Sequence, residues 1–111
     1  MAPRTDLGTV QIRNEVIGSI AALAAQEVQG IAGVWAGPLS IGRWTGDNGV
    51  TVVAQDQEVR LRLALIVEYG VDLSQVALQV QDRVREMIDR MTHLTAVEVQ
   101  VSIHHVKPKR N

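Results

Sequence analysis

Two segments of the chain alternate apolar and polar residues with a period of two, and two others repeat them with the period of a helix. In EVRLRLALIVEYG (58–70), Val59, Leu61, Leu63, Leu65, Val67 and Tyr69 share one side; Glu58, Arg60, Arg62, Ala64, Ile66 and Glu68 share the other. Successive side chains of an extended chain point to opposite faces, so this pattern predicts a strand buried on one face and mostly wet on the other. AVEVQVSIHHV (96–106) alternates likewise, with Val97, Val99, Val101, Ile103 and His105 inward and Glu98, Gln100, Ser102 and His104 outward. GVTVVAQ (49–55) reads as a third strand, joined through a turn at Asp56–Gln57 to the 58–69 strand as an antiparallel hairpin. GTVQI (8–12) reads as a short first strand with Val10 and Ile12 on one face.

The first helix is predicted from an Asn14 cap to Gly30, its apolar positions being Val16, Ile17, Ile20, Leu23, Ala24 and Val28. Four alanines between 21 and 25 keep it slim, and Gly18, unfavourable in a helix, suits a tight crossing. The second helix starts at VDLSQV, where Asp72 caps, Gln75 completes a capping box and Val71 staples onto Val76. Its stripe is Leu73, Val76, Ala77, Val80, Val84, Met87, Ile88 and Met91. Leu78 lies off that stripe, as an exposed apolar residue or as a contact with another chain.

The resulting order is β-α-β-β-α-β. One apolar face per strand and one apolar stripe per helix predict an α+β two-layer sandwich, a mainly antiparallel sheet with both helices packed on one face and two open edges. Residues 1–7 form a flexible lead, 8–106 a single domain, and 107–111 a basic tail carrying Lys107, Lys109 and Arg110. A length of 111 residues suffices for one real core. A net charge of −1 gives no overall field toward nucleic acid or anionic lipid. Without cysteine there are no disulfides, thiol nucleophiles or thiolate metal sites, which suits a reducing cytoplasm. No apolar run approaches the roughly 18–20 residues that span a bilayer.

The search for chemistry yields no catalytic, cofactor-binding or metal-binding residues. His104 and His105 are neighbours on a strand and are expected on opposite faces, with His105 partly buried, while His93 lies near the end of the second helix. Ser19, Ser40, Ser74 and Ser102 lack a nucleophile-elbow pattern, and Asp82, Glu86 and Asp89 belong to a solvated helix face. Arg60 and Arg62 can pair with Glu98 across the wet sheet face, which carries no function by itself. GPLSIGRWTGDNG (37–49) matches neither phosphate-binding nor calcium-loop spacing. GIAG (30–33) has the GxxG form that clamps a nucleic-acid backbone, so RNA or other nucleic-acid binding through it or through the sheet is the alternative function.

The chain has no phenylalanine and two tryptophans, and both tryptophans lie in GVWAGPLSIGRWTGDNG (33–49). Trp35, Leu39, Ile41, Arg43 and Trp44 are therefore the candidate contact residues. The indoles either fold back to cap the helix–sheet core or form a lip for a partner.

LGTVQIRNEVIGSIAALAAQEVQGIAGV (7–34) and the segment 67–106, with VEYG, VALQVQDRV and MTHLTAVEVQV in that order, resemble the bacterial alkaline shock protein family, also called the envelope stress response family. The family often places a glycine after the threonine of the last motif, where this chain has His93. The resemblance implies a small cytoplasmic, non-enzymatic protein of envelope homeostasis and stress, without cofactor. It also implies a scaffold or interaction module that associates with itself as a homo-oligomer and reaches the membrane through a separate anchored partner.

Overall fold

The computed structural model describes residues 4–35 and 49–108. Its elements are β1 (Arg4–Thr5), β2 (Gly8–Thr9), α1 (Asn14–Gln26), β3 (Ile31–Val34), β4 (Val50–Gln55), β5 (Glu58–Glu68), α2 (Leu73–Thr92) and β6 (Thr95–Lys107). The strand with the cleanest alternation, β5, is the centre of a four-stranded sheet. On one side β6 pairs with it in parallel along its whole length, from Glu58↔Thr95 to Glu68↔Lys107. On the other side β4 takes the first half in antiparallel register (Gln55↔Glu58 to Val50↔Leu63), and β3 takes the end (Val34↔Leu65 to Ile31↔Val67).

β3 and β4 thus lie end to end along one side of β5, and they meet at Ala64. Trp35 N donates to Ala64 O at 2.7 Å, and Ala64 N donates to Gly49 O at 3.2 Å. This edge is one strand interrupted at a single residue, with residues 36–48 connecting its halves. Gly49 sits at φ +82°, where a Cβ would run into the Trp35 carbonyl and lie 2.6 Å from Val34 Cγ1. Only glycine closes the junction this way.

The two-layer α+β arrangement is present, with both helices on one face of the sheet. The core joins Val59, Leu61, Leu63, Leu65 and Val67 of β5 to Ile17, Ile20, Ala21, Ala24 and Ala25 of α1 and to Val76, Val80, Val84 and Ile88 of α2. The first strand differs from expectation. Only Gly8–Thr9 of it is paired as a strand, with Arg4–Thr5 in a separate two-stranded hairpin, and the sheet takes Ile31–Val34 instead. Alternation over five residues also fits an extended lead into a helix, and Ile12 still packs against the core from there. GIAG is accordingly a glycine turn followed by a sheet strand, not a loop free to clamp a phosphate.

Other local differences have local causes. The N-cap of α1 is Arg13, whose carbonyl accepts from Val16 N and Ile17 N, so Asn14 is the first helical residue. Val16 and Leu23 face solvent, because the alanines let α1 pack through its narrow side instead. On α2, Asp72 Oδ1 accepts from Gln75 N at 3.2 Å as the capping box requires. Its buried row is Val76, Val80, Val84, Ile88 and Thr92, leaving Met91 and Leu78 exposed. Tyr69 lies past the end of β5 and is exposed, not buried. Arg83 of α2 binds Glu27 just past α1 (2.6 Å) and Glu86 (2.7 Å); the hydrogen bond to Glu27, then that to Glu86, raises its pKa above the ordinary arginine value.

Gly18 in α1 is not at a tight crossing. A Cβ there would meet Val52 Cγ2 at 3.7 Å and Val50 Cβ at 3.9 Å, ordinary van der Waals contact. Gly18→Ala is therefore expected to stabilise the protein by about 0.5–1 kcal/mol, through helix propensity and a less flexible unfolded chain. A lower urea midpoint for the variant would show that the helix sits closer to β4 than this.

His93 ends α2 in the left-handed conformation, φ +60° and ψ 18°, its N–H bonded to Asp89 O at 2.9 Å. A side chain costs about 1–2 kcal/mol there, whereas glycine adopts it freely. His93→Gly is expected to raise Tm by about 3 °C, the gain being partly offset by the glycine's unfolded-state entropy. An unchanged or lower Tm in a calorimetric scan contradicts the assigned cap.

Candidate interaction face

The helices cover one face of the sheet and leave the other bare. Its residues follow from register: Thr51, Val53 and Gln55 of β4, and Glu58, Arg60, Arg62, Ala64, Ile66 and Glu68 of β5. Glu98, Gln100 and Ser102 of β6 stand beside them. Across the first half runs a shallow depression of about 340 Å³ lined by Thr51, Val53, Arg60, Leu61, Arg62, Glu98 and Gln100. Arg60 Nε stands 3.5 Å from Glu98 Oε1, the pairing expected from the sequence, while Arg62 makes no ion pair among the described residues. Val53 is 58% exposed in the middle of this polar ground.

The second half is aromatic. Two bulges in β6 shift its register, leaving Val97 and His104 as the extra residues between Ala96↔Val59 and Glu98↔Arg60, and between Ile103↔Leu65 and His105↔Ile66. Each bulge reverses the facing of everything that follows it. The second turns His105 outward beside Ile66, so its expected inward, partly buried position is overturned; it is exposed. Trp35 lies half-buried on the same side. From its anchor at Ala64 the indole reaches both imidazoles, 6.3 Å from His104 at 27° and 6.4 Å from His105 at 31°. The small Ala64 and Ser102 leave room for the ring between the outer strands. Trp35 therefore does not cap the helix–sheet core; it sits on the opposite face. Leu39, Ile41, Arg43 and Trp44 lie outside the described residues.

Both edges of the sheet carry breaks. On β6, Gln81 Nε2 donates to Val99 O at 3.0 Å and Arg85 Nε to Ala96 O at 3.3 Å, so α2 occupies carbonyls at the start of that edge. The bulge at His104 and the Lys107–Pro108 exit disturb its other end. The opposite edge is interrupted at Ala64. Breaks of this kind blunt an edge against pairing with another chain, leaving the bare face as the larger contact surface. Among the described residues no three His, Asp or Glu side chains converge as metal ligands, and no buried side-chain nitrogen or oxygen lacks a hydrogen-bond partner. No helix among them is long and apolar enough to cross a membrane.

A model of the alkaline shock protein 23 family, described as cell envelope-related in function, matches residues 2–108. The chain belongs to this family. Among its relatives in Bacillus subtilis (strain 168), the uncharacterized protein YqhY is 35% identical over 104 residues, covering 89% of this chain and 77% of its own length. The uncharacterized protein YloU is 30% identical over 111 residues, covering 94% and 92% respectively. Among solved structures, a manganese form of the MamM CTD superposes with a TM-score of 0.60 at 18% identity, covering 84% of this chain and 99% of that one. At such identity the likeness is one of fold. At the end of α2, His93 adopts the left-handed backbone that a glycine would favour.

Proposed function

We propose that this member of the alkaline shock protein family is a non-catalytic interaction module of cell-envelope homeostasis and stress. In this reading it is cytoplasmic, self-associates through the bare face of its sheet, and meets a membrane-anchored partner protein. The observation that carries the proposal is that face: an exposed Val53 and a half-buried Trp35 among paired and unpaired charges, in a sheet whose edges are interrupted. The non-catalytic part rests on the sequence, in which serines, carboxylates and histidines fall in no catalytic spacing. Sedimentation velocity over a rising concentration series tests the proposal. The sedimentation coefficient is expected to climb with concentration, and a strict monomer at the highest concentration overturns self-association.

A further inference from the structure

The alternation of β6 taken alone separates His104 from His105, whereas the bulge puts both rings beside one indole. Consecutive Cα atoms are about 3.8 Å apart, and the two imidazole centroids lie 6.3 and 6.4 Å from one indole centroid, which brings both rings into the same neighbourhood. Both histidines are exposed, and neither makes a hydrogen bond or ion pair within the described residues that would hold its nitrogens. Each offers an imidazole nitrogen, a ligand type that suits divalent transition metals.

We propose that His104 and His105 form a two-imidazole site for a divalent transition-metal ion on the open sheet face, with Trp35 as its wall. Solvent completes the coordination, since no third protein ligand converges there among the described residues. Among first-row divalent ions Cu(II) is held most tightly by such nitrogen donors, which makes it the probe. The half-buried indole shields one side of the site from water and is close enough to report a bound paramagnetic ion through its fluorescence. This proposal is independent of self-association, because it requires only one chain.

The test titrates Cu(II) into full-length protein carrying Trp44→Phe, so that Trp35 is the sole tryptophan, in a non-coordinating buffer. Emission is expected to quench and saturate at one equivalent, with nitrogen coupling in the Cu(II) paramagnetic resonance spectrum. His104→Ala and His105→Ala should each weaken the apparent affinity about tenfold or more, while His93→Ala leaves it unchanged. The paramagnetic spectrum is also recorded on the protein with both tryptophans, so a folding defect of Trp44→Phe cannot mask the result. Quenching that survives the His104→Ala, His105→Ala double variant, or a spectrum without nitrogen coupling in the protein with both tryptophans, overturns the site.

Discussion

Gly49→Ala is expected to cost about 3 kcal/mol or more, a large part of the roughly 5–15 kcal/mol that holds a domain of this size together. Two effects add. At φ +82° any side chain bears about 1–2 kcal/mol of backbone strain. The new methyl would also be driven into the Trp35 carbonyl and Val34, which hydrogen bonding at Ala64 holds in place, an overpacking worth about 1–3 kcal/mol more. Gly70 is the control: its φ is +99°, but nothing lies within 4 Å of where its Cβ would stand. Gly70→Ala should therefore cost only the strain, about 1–2 kcal/mol. Urea denaturation of the two variants measures the difference. Equal losses would mean that the interrupted edge does not close at Ala64 as described.

Leu63→Ala is expected to cost about 3–4 kcal/mol. Leu63 is 1% exposed on the central strand, between Val50 of β4 and Val101 of β6, in the layer covered by the helices. The strands on both sides and the helix layer above hold the cavity open, so little of the lost contact is recovered by collapse. Leu23→Ala and Leu78→Ala, at 64% and 55% exposure, should each change stability by no more than about 0.5 kcal/mol. A small loss at Leu63, or a large one at Leu23, would relocate the core.

The strands and helices with long, regular periods were legible in the sequence because each buries one continuous face. β5 and the buried row of α2 needed nothing more than their spacing. β3 was hidden because IAGV offers only two sizeable apolar residues and two small ones, and its pairing depends on β5, more than 30 positions away. The buried face of α1 does not follow from its larger apolar residues, because alanines bury as completely when a helix packs closely, while Val16 and Leu23 stay outside. Of the interaction face, the Arg60–Glu98 ground followed directly from alternation and register. The aromatic half did not, since a bulge adds one residue without leaving a mark in the sequence. The alternation through Val99, Val101 and Ile103 to His105 looks unbroken, yet it reverses at His104. The clustering of tryptophans marks Trp35 as a contact residue, but its place on the far side of the sheet follows only from its hydrogen bond to Ala64.

Association through the bare sheet face is read out by sedimentation velocity of the wild type, Val53→Glu and Leu23→Glu at matched high concentration. Both substitutions put a charge at an exposed position, one on the sheet face and one on the outer side of α1. The wild type and Leu23→Glu are expected to associate while Val53→Glu, folded and with unchanged Tm, stays monomeric. A Val53→Glu protein that associates as the wild type does, or a wild type that remains monomeric, contradicts association through this face.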